Sequence, residues 1–206
     1  MKTIIKIIFL VTVSVALAIV IEQLVAAMAN AFWQREIVLE SYMHFTWFLA
    51  FSAAIEEISK YWAIYFVIGN KFGLQKIRFV LASLFLGALW GFLEIGLVLV
   101  SDQKALSAFQ SGNMEIIFSF ATVIALHILT AFLMGVFIST STSSSKLKHF
   151  KIVLFPILLH MLFNFLIVQK GDFTNYLITA TLAIAFLIGT LILAFNSKRQ
   201  YFLVNI

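Results

Sequence analysis

Residues 50–67 read AFSAAIEEISKYWAIYFV, an oily run that carries Glu56, Glu57 and Lys60 within five positions. The run is continuously apolar rather than alternating, which favours a membrane helix over a barrel strand. At a helix centre in hydrocarbon each charge costs roughly 2.5–3.5 kcal/mol, while a Leu or Ile returns only about 0.3–0.6 kcal/mol. The three together cost about 8–10 kcal/mol, enough to cancel most of the apolar gain of the span. Ionisable residues kept at such depth are by default a functional site.

The rest of the chain has the same character. Its 206 residues are 63% hydrophobic and 11% charged, with a mean hydropathy of +1.06, against about 45–50% and 25% in soluble domains. The composition predicts a polytopic, all-α transmembrane bundle forming a single domain over residues 1–206. Spans of about 20 residues fall at 7–30, 46–68, 79–100, 115–138, 151–168 and 175–195, six in all. Ten loop cations (Lys2, Lys6, Lys71, Lys76, Arg78, Lys146, Lys148, Lys151, Lys198 and Arg199) fall on one side, and Arg35, Lys104 and Lys170 on the other. The positive-inside rule then places both termini in the cytoplasm. The net charge of +5 is thereby explained by topology and by contact with the lipid bilayer, and no nucleic-acid partner is expected. Met1–Lys6 followed by an apolar run and Ala27-Met28-Ala29 has the look of a cleavable signal peptide. Its length and the interruption at Glu22 and Gln23 favour a retained helix; cleavage would leave five spans in the same orientation. Ser139–Ser145 with the lysines after it reads as a flexible loop beside anionic lipid.

Polar residues recur at matching depths in four consecutive spans. At about 100° per residue, Glu56 lies near 0°, Glu57 near 100° and Lys60 near 40°, so the ammonium falls between the two carboxylates. Such a cation favours ionisation of at least one of them, which suits a carboxylate kept available as a base. The third span offers Glu94, one turn after Trp90, with Gly87 and Gly91 on one face for close helix contact. The fourth carries His127 with Thr130 at i+3. The fifth carries His160 and Asn164 at i,i+4, stacked on one face. These groups are expected to converge on one buried, hydrated pocket. Glu22 reads as structural or as snorkelling to the outer surface, and His44 and His149 as exposed span ends. Trp33, Trp47, Trp62, Tyr176 and Tyr201 read as interface anchors.

Two carboxylates, a counter-charge and two imidazoles suit hydrolysis of a peptide bond by activated water, with the imidazoles, or a metal they hold, polarising the carbonyl. The absence of Cys excludes thiolate chemistry, the absence of HExxH excludes the usual zincin layout, and no GxSxG is present. Asp102 and Asp172 fall in loops, so an aspartyl dyad is excluded. A proton- or ion-coupled transporter and a non-catalytic membrane scaffold are the competing readings. Six spans without a repeat or a paired broken helix weigh against the transporter.

In order, EEISK, WGFLE, HILTAFLMG and HMLFNF resemble the PrsW-type intramembrane proteases, which belong to a larger group with the type II CAAX prenyl proteases and the bacterial Abi proteins. The resemblance covers roughly residues 50–168, on spans two to five (about 46–168). It implies a multi-pass protease of the prokaryotic plasma membrane that cuts a membrane-protein substrate, for example an anti-sigma-like regulator. A CAAX-like enzyme processing lipidated C-termini is the alternative, although Glu94 stands where those proteases have a His. By resemblance Glu56 is the water-activating base, with Glu57 beside it and Lys60 balancing charge. His127 and His160 complete the centre, and Asn164 supports the oxyanion. The family is named for a metal, yet its glutamate mechanism has also been argued without one. A divalent ion such as zinc on His127, His160 and Glu94 is therefore left open.

Overall fold

The computed structural model of the chain describes residues 2–34, 36–38, 44, 46–65, 76–140, 146–169 and 171–204. Its helices are α1 (Lys2–Trp33), α2 (Trp47–Trp62), α3 (Lys76–Ser101), α4 (Gln103–Gln110), α5 (Met114–Thr140), α6 (Lys146–Gln169) and α7 (Asp172–Val204), with no strand among the described residues. Five of them are long and apolar enough to cross a membrane: Ile7–Trp33, Ile77–Ser101, Met114–Thr140, His149–Gln169 and Asp172–Phe195. The protein is a multi-pass helical membrane bundle. The remaining expected span, 46–68, is represented by α2, which has 16 residues and all three ionisable groups, and continues as a wider π-type turn over residues 63–65. Residues 66–68 of that span lie outside the described residues, as do Arg35, Lys71, Lys170 and residues 141–145 of the Ser/Thr tract.

Sequence reading left residues 102–110 as a loop, but α4 forms there. Asp102 caps it, its carboxylate accepting from the backbone N–H groups of Lys104 (2.8 Å) and Ala105 (3.2 Å). These are donors that a helix start otherwise leaves unpaired. Asp172 likewise belongs to a helix, as the first residue of α7.

The bundle closes on itself. α1 packs on α2 and α3, α2 packs on α6, and α5 packs on both α3 and α6, with α7 against the outside of α5 and α6. The tightest approach is between α3 and α5, and its cause is local. A Cβ added to Gly87 would stand 2.4 Å from the His127 carbonyl oxygen, and one on Gly91 would stand 2.9 Å from Cα of Ile124. Gly135 is equally crowded, 2.6 Å from Oγ of Ser83. Small residues let two helices meet in a medium that offers no hydrophobic drive for it. α1 turns a stripe inward, with Ile7, Val11, Val15, Ala18, Ala26 and Ala29 all buried at the three- and four-residue intervals of one helical face.

Side-chain placement is inverted relative to a water-soluble domain. Phe9, Leu17, Val20, Phe92 and Phe186 are exposed on the periphery, while Glu57, Lys60 and His127 are fully buried. Patches of exposed apolar residues on this scale are a lipid-facing surface. Trp33 and Trp47 pack together with ring centroids 5.6 Å apart, and they remain half-exposed, as do Trp62 and, more fully, Tyr176. Interface anchoring requires such exposure; the Tyr201 side chain lies outside the described residues.

Candidate functional site

Lys60 is the hub. It is wholly buried, and its Nζ lies 2.5 Å from Glu57 Oε1, 2.7 Å from His127 Nδ1 and 3.1 Å from Thr130 Oγ1. An ammonium has three protons and no lone pair, and here each proton has one acceptor. The Thr130 hydroxyl donates to the His127 carbonyl at 3.3 Å, one turn back, so its lone pairs remain for Lys60. The Trp90 ring adds a further contact, its centroid 5.5 Å from Nζ, within reach of a cation–π attraction. Buried charge persists only when paired and hydrogen-bonded in this manner.

Two branches leave this hub. On one side His127 Nε2 makes a close hydrogen bond to Glu94 Oε2. On the other, Glu57 Oε1 also accepts from His160 Nδ1 at 2.7 Å. The result is one unbroken chain, Glu94–His127–Lys60–Glu57–His160, drawn from α2, α3, α5 and α6. The two imidazoles stand edge to face with centroids 5.4 Å apart. Glu57, Lys60 and His127, the three interior members, are completely buried.

Both ends of the chain open on a single cavity of about 270 Å³, lined by Glu56, Glu94, His160 and Asn164 together with Ser52, Trp90 and Glu22. Glu56 accepts from the Ser52 hydroxyl through Oε1 at 3.2 Å, while its Oε2 is buried and has no protein hydrogen-bond partner. That same oxygen lies 3.9 Å from His127 Nε2. The expected residues therefore do converge, but in two groups. Glu56, Glu94, His160 and Asn164 face the cavity, whereas Glu57, Lys60 and His127 stand behind it.

Two of the three expected metal ligands, Glu94 and His127, come together with Glu56. Among the described residues the group whose ligand atoms lie within 4.8 Å of one another is Glu56, Glu94 and His127. His160, also expected in that set, gives Nδ1 to Glu57, being placed opposite Glu57 where α6 crosses α2, and lines the cavity beside Glu56 and Glu94.

Two residues depart from their sequence reading. Glu22 does not snorkel: it lines the cavity, and its Oε1 is buried without a protein partner. The signal was legible, since position 22 continues the buried stripe of α1 between Ala18 and Ala26. His149 is not a bare span end. It is half-buried, hydrogen-bonded to the Tyr61 hydroxyl, and its ring packs edge-on against Tyr65 at 5.1 Å. The reason is that α6 starts at Lys146, earlier than the span expected from residue 151, and so sets His149 against α2. His44 is exposed, as expected. The roles of Ser52 and Thr130 had no sequence signal beyond helical spacing from Glu56 and His127.

Compared with known proteins, the chain matches no family profile, no curated protein and no solved structure.

Proposed function

We propose that the protein is an intramembrane endopeptidase of the PrsW type, hydrolysing a peptide bond in or near the transmembrane segment of a membrane-protein substrate in a prokaryotic plasma membrane. The observation that carries this reading is the free carboxylate oxygen of Glu56 in a cavity that also receives His160 and Asn164. A volume of about 270 Å³ holds several waters at their liquid share of about 30 Å³ each, or one extended stretch of peptide with a water. With α2 counted as a sixth crossing, the loop charges put both termini in the cytoplasm.

In this reading Glu56 takes a proton from water as the water oxygen bonds to the scissile carbonyl carbon. The Asn164 amide, on the same wall, donates to the developing oxyanion. His160 keeps Nδ1 on Glu57 and turns its second nitrogen to the reacting groups, where it orients the water. Collapse of the tetrahedral intermediate breaks the C–N bond, and the proton held by Glu56 passes to the leaving amine. Glu57, Lys60 and His127 are positioning residues: they fix His160 and Glu94 without touching substrate. By resemblance, the substrate class is a membrane-held regulator of the anti-sigma type.

The test is reconstitution in liposomes with a panel of single-span substrates. Glu56→Gln is expected to retain its fold and substrate binding while losing at least about 100-fold in cleavage, the scale of general-base catalysis; His160→Ala should lose comparably. Cleavage that survives in both variants refutes the assignment, and ion flux lost in Glu56→Gln without any cleavage by wild type favours a transporter.

A further inference from the structure

We propose that Lys60 is a tautomer lock. Its ammonium, held against Nδ1 of His127, keeps the imidazole proton on Nε2, so that His127 serves Glu94 as a hydrogen-bond donor and the Glu56–Glu94–His127 group does not take up a divalent metal. The inference concerns the same centre as the protease reading but not its activity.

The argument starts from donor inventory. Lys60 contacts Glu57, His127 and Thr130 at 2.5, 2.7 and 3.1 Å, and an ammonium only donates. His127 Nδ1 must therefore present its lone pair. A neutral imidazole carries one proton, so the proton is on Nε2, the nitrogen that meets the Glu94 carboxylate. Donor and acceptor then match along the whole chain. At its other end the logic inverts: Glu57 accepts from Nδ1 of His160, which places that proton on Nδ1 and leaves the Nε2 lone pair bare. The two imidazoles are thus held in opposite tautomers by one lysine–glutamate pair.

A metal ligand needs the lone pair that His127 Nε2 has given up. For Nε2 to ligate, the proton would have to move to Nδ1 and point at the protons of Lys60. Metal-bound histidines instead give their other N–H to a carboxylate, carbonyl or water, the opposite of what Nδ1 meets here. Spacing agrees. Two ligand atoms on one tetrahedral zinc, each at about 2.0–2.1 Å, stand about 3.3 Å apart, whereas His127 Nε2 and Glu94 Oε2 are in direct hydrogen-bond contact. Glu94 and His127 form a hydrogen-bonded pair, with Glu56 Oε2 3.9 Å from Nε2 and not hydrogen-bonded to it.

The test uses the full chain in lipid nanodiscs with nitrogen-15 histidine, His127 being assigned by its loss in His127→Gln. The expected spectrum shows His127 neutral with Nε2 protonated and Nδ1 bare, unchanged by equimolar zinc. In Lys60→Gln the side-chain carbonyl can accept from Nδ1–H. The tautomer should then switch, and zinc affinity should rise about 10–100-fold, the usual size of an outer-shell effect on a metal site. Lys60→Arg, which also only donates, should keep the wild-type tautomer. A wild-type His127 protonated at Nδ1, a wild-type spectrum shifted by stoichiometric zinc, or a Lys60→Gln protein with the tautomer unmoved would each overturn the proposal. If Lys60→Gln does not fold, the wild-type spectrum and its zinc titration decide alone. A purely structural role for Lys60 would leave the tautomer where it was.

Discussion

Replacing Lys60 with Met keeps roughly the same length and removes the charge from the centre of the bundle. Glu57 is then left wholly buried, with His160 as its remaining partner. Two unit charges about 4 Å apart attract by about 4 kcal/mol at the effective dielectric that suits protein sites, and the Glu57–Lys60 contact of 2.5 Å is at least that close. Removing one partner of a buried pair costs about 3–5 kcal/mol, chiefly because the other charge is stranded. Lys60→Met should therefore lose about 3–5 kcal/mol, and Glu57→Gln a similar amount. The double variant Lys60→Met/Glu57→Gln strands no charge, although it takes the Lys60 donor from His127 Nδ1 and Thr130 Oγ1, and should lose less than either single variant, since replacing both members of a buried pair is often nearly neutral. The assay is equilibrium unfolding of the reconstituted chain in SDS–lipid mixed micelles, followed by tryptophan fluorescence; Trp90, beside Nζ, reports the site itself. A double-mutant cycle should give a coupling of about 3 kcal/mol or more, far above the few tenths typical of independent sites. Single variants as stable as wild type, or a coupling below about 1 kcal/mol, would refute the view that this pair carries the buried charge.

Two further outcomes follow from the same geometry. Gly87→Ala places a Cβ 2.4 Å from the His127 carbonyl, whereas Gly96→Ala in the same helix meets nothing within 4 Å; the first should cost about 1–3 kcal/mol of stability by overpacking and displace His127, while the second should be neutral or stabilising by up to about 1 kcal/mol, both read by the unfolding assay. Glu22→Gln should leave unfolding close to wild type but change cleavage of the single-span panel by about tenfold or more, because it removes a carboxylate from the cavity wall, a difference of about 1.4 kcal/mol in transition-state free energy; an unchanged rate would return Glu22 to a structural role.

How far the sequence could be read depended on which physical constraint acted at each point. Span positions were legible because hydrocarbon thickness imposes a length on any apolar helix: the stretches of α1, α3, α5, α6 and α7 long and apolar enough to cross a membrane fall within about three residues of the expected limits, while α7 itself runs on to Val204. The meeting of Glu56, Glu57, Glu94, His127 and His160 was legible because none of them can face lipid cheaply. The layering of those residues was not. Whether His127 faces a cavity or stands behind Glu94 depends on helix rotation, and that rotation is set by the α3–α5 approach at Gly87 and Gly91. Glu22 was readable in principle from its place in the α1 stripe, but a lone carboxylate near a span end also snorkels, and local spacing does not decide between the two. The short α4 was missed because its apolar content is low and its one strong signal is the Asp102 cap.

The unpaired oxygens decide which part of this centre meets the outside. Among the described residues the buried side-chain polar atoms lacking a hydrogen-bond partner are Glu22 Oε1, Glu56 Oε2 and Glu57 Oε2. Buried polar groups in folded proteins are nearly always satisfied, and a bare carboxylate oxygen in hydrocarbon is costlier still. Lys60 and His160 already share Glu57 through its other oxygen, so that residue keeps most of its compensation. Glu22 and Glu56 belong to side chains on the cavity wall, where water or a polar substrate backbone supplies what the protein does not. In the proposed protease the same division separates the roles: residues whose donors and acceptors close on one another hold the site in shape, and those left open are the ones positioned to meet water and substrate.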